Sequence, residues 1–284
     1  MKHIIVVTLF LLKVFITFSQ SSVWEIEKEG AKIYIGGTVH ILREQDFPLP
    51  EQFLTAYNHS EILVTELDLK EMYSPTNIGK LQKGIMYDDE RTLKTVLSKD
   101  VYSELDLACK QFGMNLLMMD KFKPSMVILT LTYQAMHKIG VKSEGVDIYF
   151  ANNAVADNKS SLFLETFDEQ LSFIENMGNG NEDEFVRYSI RDLEEQLASF
   201  DDLIEEWRVG NSELMLTQLD TYEKDYPEIY KTLLVERNNN WIPQIEGFFE
   251  TKEVEFVLFG ALHLYGPDGI LQQMRQKGYK VEQL

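Results

Sequence analysis

Two stretches, "KIYIGGTVHILREQDFPLP" near the amino end and "VEFVLFGALHLYGPDGILQQM" near the carboxyl end, repeat one pattern: an apolar run, a glycine, two spacers and a histidine. The chain has five histidines and 16 glycines in 284 residues. Chance would supply about 0.3 Gly-x-x-His matches at those frequencies. Two occur, each after a run that reads as a buried strand. In α/β sheets ligands collect beyond the carboxyl ends of strands, where His40 and His263 would both emerge. The expectation is that folding brings these two imidazoles together. Gly37 and Gly260 are expected to let the backbone turn tightly there, having no β-carbon.

Carboxylates arrive at the same kind of position. Glu66 follows "ILVT", the end of a buried strand, and Glu165 follows "SLFL". Two neutral imidazoles with one or two carboxylates suit a divalent transition metal that keeps a position for water and lowers its pKa, toward ~7 for zinc. Metal-activated hydrolysis would follow. The alternative at each acid is a buried cap or a partner to an arginine. His59 reads as a helix-end residue and His137 as a packed or exposed helical one. No His-Glu-x-x-His helix, Walker loop, Gly-x-Ser-x-Gly elbow or dinucleotide glycine fingerprint is present, which removes support for the commonest zinc protease, NTPase, esterase and dehydrogenase readings.

Strands alternate with helices at both ends of the chain. A long helical pass lies between, which predicts an α/β sheet carrying a helical insertion over about 75–235 that caps the strand ends. "SVWEIEKEGAKIYIGG" reads as two strands about a Glu29-Gly30 turn. "KPSMVILTLTYQAMHKIG" reads as a helix opened by Pro124 and closed before Gly140. Thr166 and Glu169 have capping-box spacing, so Glu169 reads as a cap. The acidic "NEDEFVRYSIRDLEEQLASFDDLIEEWRVGN" reads as an amphipathic helix with a solvated face.

"MKHIIVVTLFLLKVFITFSQSS" reads as a signal peptide over residues 1–19, with Lys2 ahead of an apolar stretch and a small-residue boundary before Gln20. The mature domain would then be 20–284, secreted or periplasmic, with no stable membrane span. An uncleaved anchor is the alternative, although the run is shorter than the ~20 apolar residues a membrane helix needs. The formal charge of −19 argues against nucleic acid or anionic lipid and for a cation or a neutral peptide. Cys109, the only cysteine, sits among helically spaced apolar residues and reads as a core filler.

At these residues the chain resembles the TraB/PrgY/GumN family, which includes the Tiki metalloproteases of animals and many bacterial secreted proteins. The pieces that carry the resemblance are "GGTVHILREQDFPLP", "VTELDL", "GVDIYFANNA", "LETFDEQLSFIE", "ERNNNWIPQI" and "LFGALHLYGPDGILQQMRQKGYKV", spread in order over the mature chain. The resemblance implies a central mixed sheet similar to the erythromycin esterase and ChaN-like group. It further implies that His40, His263 and Glu66 form the metal and catalytic centre, with manganese, cobalt or zinc as the ion and a peptide or protein as substrate. Arg237 and Asn238 of "ERN" look like further site residues. Arg237 would stabilise an oxyanion and Asn238 would orient substrate or a ligand; the alternative for Arg237 is a buried salt bridge to a structural acid. Asp147 follows Val146 where the family has Leu-Asp, and Phe167 precedes a single acid before Glu169; these departures set both acids apart from the histidines.

Two functional readings compete, beside a third in which the chain is a structural protein whose histidines merely fill strand ends. One is a secreted metal-dependent peptidase, with Glu66 as ligand or general base and Glu165 beside it. The other is a non-catalytic protein binding a peptide signal, haem or metal through the same residues.

Overall fold

Glu29 and Gly30, at φ of 54° and 88°, close a hairpin between β1 (Val23–Lys28) and β2 (Ala31–Thr38), with Lys28 opposite Ala31. A two-residue hairpin turn wants positive φ at both positions, which glycine adopts freely and glutamate less so. The computed structural model describes residues 20–72, 74–142 and 144–284; the leader expected over 1–19 lies outside them. Four more strands complete the sheet: β3 (Ile62–Thr65), β4 (Ser160–Phe163), β5 (Glu255–Gly260) and β6 (Lys280–Gln283).

The strand order is β4-β3-β5-β2-β1-β6. β4, β3, β5 and β2 run parallel, while β1 and β6 are antiparallel to their neighbours. β5 is central and buried from Glu255 to Phe259, which is why "EFVLF" is apolar without alternation after its first residue. β4, at the edge, is exposed at all four residues.

Among the described residues ten helices, single turns aside, accompany the sheet: α1 (Glu51–Asn58), α2 (Pro75–Gly84), α3 (Lys99–Gln111), α4 (Pro124–Lys138), α5 (Val146–Asp157), α6 (Phe167–Asn176), α7 (Glu182–Arg208), α8 (Glu213–Asp225), α9 (Glu236–Gly247) and α10 (Ile270–Gln276). Strand alternation divides the core between two faces. Tyr34, Leu63, Phe256 and Leu258 pack with Phe53 of α1, Phe150 of α5 and Trp207 of α7. Ile33, Ile35, Val257 and Phe259 pack with Trp241 and Ile245 of α9 and Ile270 of α10.

The result is a mixed α/β fold with a six-stranded mixed sheet. Within 75–235, β4 separates the helices into a block before it and a block after it. The second block is tied down through Trp207, whose indole N–H donates to the Gly37 carbonyl at 2.7 Å while its own carbonyl accepts from Ser22 at 2.7 Å. Cys109 is fully buried on α3, and burial pushes its thiol up to about 11, as suits a core filler. Thr166 and Glu169 form the capping box that opens α6. Among the described residues no helix is long and apolar enough to cross a membrane.

Candidate active site

Because β2, β3, β4 and β5 are parallel, their carboxyl ends share one edge of the sheet. Thr38 lies opposite Gly260, and Thr65 opposite Phe163. His40 follows β2, Glu66 follows β3, Glu165 follows β4, and His263 lies on a short turn after β5. The Glu165 N–H continues the ladder by donating to the Glu66 carbonyl at 2.9 Å. A π-helical turn, Lys231–Val235, leads into α9, whose first residues put Arg237 and Asn238 over that edge. All six residues expected at the site are thereby brought together.

Arg237 is the hub. It is 7% exposed, and its Nε and Nη2 donate to the two oxygens of Glu165 at 2.7 and 2.9 Å. Nη2 also donates to Glu66 Oε2 at 2.5 Å, and Nη1 donates to His263 Nε2 at 3.2 Å. Four of its five N–H groups are thus committed. Glu165 also accepts from the Trp241 indole at 3.0 Å, and Trp241 packs on the His263 ring. The salt-bridge alternative is therefore realised at both acids.

Second-sphere contacts set the imidazole tautomers. Asn238 Nδ2 donates to the carbonyls of Asp268 and His263, leaving Oδ1 to accept from His263 Nδ1–H at 2.7 Å. His263 Nε2 is then the lone-pair nitrogen. His40 Nδ1–H donates to Asp147 Oδ2 at 2.8 Å, so in the neutral ring Nε2 again carries the lone pair.

Protonation follows surroundings. Burial, then the charges of Arg237 and His40, outweigh the pull of Glu66 and hold His263 down to about 3, so it is neutral. For Glu66, burial is the largest single influence and acts upward. Arg237, His40, His263 and the Gly260 N–H together outweigh it and hold the carboxyl at about 2. The Asp147 charge, against partial desolvation, raises His40 to about 9.

The motif glycines have a purpose the spacing did not reveal. Gly260 sits at φ −50°, and neither glycine adopts a left-handed conformation, so tight turning is not what they supply. They supply room. A β-carbon on Gly37 would lie 2.4 Å from Leu264 and 3.1 Å from the Ala261 backbone, both in the second motif. One on Gly260 would lie 3.3 Å from His40 Nε2, 3.6 Å from Glu66 Oε1 and 3.6 Å from the His263 ring. Each glycine clears space for the other motif, so the repetition reflects mutual packing. Gly37→Ala is expected to cost about 1–3 kcal/mol as overpacking against backbone, read as a lower urea midpoint with unchanged slope.

The same gap tests the fit of a metal. Two imidazoles and a carboxylate meeting at a glycine are, in kind, a donor set for a divalent transition ion. Among the described residues, however, no three of His, Cys, Asp and Glu stand at metal-ligating spacing, and Arg237 donates to both His263 Nε2 and Glu66 Oε2.

Three participants escaped the sequence reading. Asp147, set apart by its Val-Asp context, holds His40; Trp241 holds Glu165; Gln170 Nε2 lies 3.5 Å from Glu66. A signal existed only for Asp147, in the second position of a helix opened by Gly145. That glycine is pressed so closely on the His40 carbonyl that a β-carbon would lie 2.3 Å from it. His59 caps the end of α1, stacked near Tyr34, and His137 is exposed on α4; neither approaches the site.

The TraB/PrgY/gumN family model matches residues 22–283, and the chain belongs to this family. It is 23% identical to metalloprotease TIKI1 of Homo sapiens, over 92% of this chain and 61% of that protein. It is 22% identical to metalloprotease TIKI2 of Danio rerio, over 88% of this chain and 58% of that protein. It is 20% identical to the uncharacterized protein YbaP of Escherichia coli, over 84% of this chain and 86% of that protein. The chain spans about three fifths of the length of the Tiki relatives. No solved structure matches the chain significantly.

Proposed function

We propose that the chain is a secreted or periplasmic metal-dependent hydrolase, a peptidase in class, built on a scaffold of the erythromycin esterase and ChaN-like kind. The observation that carries this reading is the meeting of His40, Glu66 and His263 about Gly260, with both Nδ1 atoms tied to oxygen partners. The similarity to the Tiki metalloproteases supports the reaction class.

His40, His263 and Glu66 would hold the ion, manganese, cobalt or zinc. When bound it would polarise a carbonyl and acidify water. A carboxyl at about 2 is a weak base, which favours Glu66 as a ligand over Glu66 as general base. Glu165 and Trp241 position Arg237, whose one N–H without a partner among the described residues is available to a developing oxyanion. Asn238 and Asp147 keep the two rings in their tautomers.

For these residues to hold an ion, Arg237 Nη1 would have to leave His263 and His40 would have to give up its proton. Calorimetric titration of the chelator-treated protein with manganese, cobalt and zinc is expected to give one site per chain. Near neutral pH it should release close to one proton, and uptake should weaken as pH falls. His40→Ala with His263→Ala is expected to abolish that uptake. Undiminished binding by the double variant would sink the assignment. A mixed peptide library followed by mass spectrometry then reads cleavage.

The grip of Arg237 on both Glu66 and His263 favours a second reading, a binding protein with no turnover. It predicts peptide retention without cleavage at every metal.

A further inference from the structure

Beside the candidate centre lies a groove of about 590 Å³, within the size range of ligand sites. It runs between the end of α6 and the Gly178–Gly180 bend on one side, and the start of α7, the end of α8 and the π-helical turn on the other. Two residues join it to the centre. Phe173 lines the groove while its ring lies 5.3 Å from the Arg237 guanidinium. Glu236 lines it and immediately precedes Arg237 in the chain. The π-helical turn contributes Thr232 and Leu233 to the groove before the chain enters α9. Such turns recur at functional sites, where the altered pitch re-aims the side chains that follow.

The floor is apolar, from Phe173, Met177, Phe185 and Leu233. The rim is acidic, from Glu184, Asp225, Glu228 and Glu236, and no lysine, arginine or histidine among the described residues lines the groove. Lys231 is engaged with Glu236 at 3.7 Å, and Arg191 with the Tyr226 hydroxyl. Glu184, Asp225 and Glu228 form no ion pair among the described residues. An apolar floor beneath unneutralised acids asks for an occupant with an apolar side chain and positive charge beside it.

We infer that this groove is the specificity subsite of the proposed peptidase, taking a peptide segment in which an aliphatic or aromatic residue is flanked by lysine or arginine. The inference rests on the peptidase reading for its substrate class, and on the groove alone for its charge preference. Binding therefore has to be measured apart from turnover.

Fluorescence anisotropy with the full chain in chelator would compare labelled peptides of one host sequence whose central leucine is flanked by lysine, glutamine or glutamate. The lysine peptide is expected to bind about tenfold or more tighter than the glutamate peptide, with an advantage that shrinks as salt rises. Glu184→Gln, Asp225→Asn and Glu228→Gln together are expected to erase most of that advantage while leaving the glutamine peptide nearly unchanged. Those three residues are exposed and make no ion pair, so the variant should fold. Equal affinity for the three peptides, or a preference that survives in the triple variant, overturns the subsite. A preference of the expected kind supports it, and does so even if added metal produces no cleavage, an outcome that counts against the peptidase reading alone.

Discussion

Replacing Arg237 by methionine is expected to remove about 3–5 kcal/mol of unfolding free energy at neutral pH. Among the described residues the guanidinium is the only cation in ion-pair contact with Glu66 and Glu165, and both acids are about 9% exposed. Without it two carboxylates linked through adjacent backbone positions would stay buried with no cation in ion-pair contact. Part of the loss should return on acidification to about pH 5, because unpaired buried carboxyls take up protons more readily. Most should return when Glu66→Gln and Glu165→Gln are added, since a neutral network lacks the uncompensated charge. Arg237→Lys should not rescue, because an ammonium cannot span Glu165, Glu66 and His263 with one planar fork.

The same variant tests the proposed metal site. Methionine frees His263 Nε2 and Glu66 Oε2 for an ion, so a divalent metal should raise the melting temperature of Arg237→Met more than that of the parent. Urea unfolding and metal-dependent melting read both effects. A loss below about 1 kcal/mol would mean that Arg237 is not the element holding the acids, contrary to its contacts.

These consequences show which parts of the molecule could be read from the sequence. "VEFVLFG" and "EILVT" are continuous apolar runs because both faces of β5 and β3 are covered, and that kind of burial is written in composition. Strand ends are legible for the same reason, so His40, Glu66, Glu165 and His263 could be placed in one neighbourhood before any geometry was known. Arg237 and Asn238 were found only through the family resemblance, since a helix start leaves little local trace of what it faces. Asp147, Trp241 and Gln170 act through contacts 107, 76 and 104 residues away in the chain, and periodicity carries no information about such partners. Gly37 and Gly260 are legible as special positions but not in what they supply, because a turn is a local property and a clearance belongs to the pair.

With metal chelated, stability is expected to peak near pH 6.5, and the two histidines account for the two limbs. His263 lies at about 3 in the folded chain against an ordinary 6.5. Between those values the unfolded chain holds a proton that the folded chain does not, so this contribution is complete above pH 6.5 and disappears as pH falls through about 3. At about 1.4 kcal/mol per unit, that limb is on the order of 5 kcal/mol. Glu66, at about 2 against an ordinary 4.5, adds to the same side: its share is present above pH 4.5 and lost as pH falls through about 2. His40 works in the other direction. Raised from 6.5 to about 9, it contributes fully below pH 6.5, and that contribution is lost as pH rises through about 9. Its ring is largely open to solvent, which screens the attraction to Asp147 and makes the alkaline limb the shallower one. Urea midpoints measured across this range should therefore rise steeply from pH 3 to 6.5 and decline gently towards pH 9. His263→Gln should flatten the acid limb between pH 6.5 and 4.5, and Asp147→Asn should flatten the alkaline one. An acid limb unchanged in His263→Gln would mean that this imidazole is not the buried neutral group whose Nε2 faces Arg237.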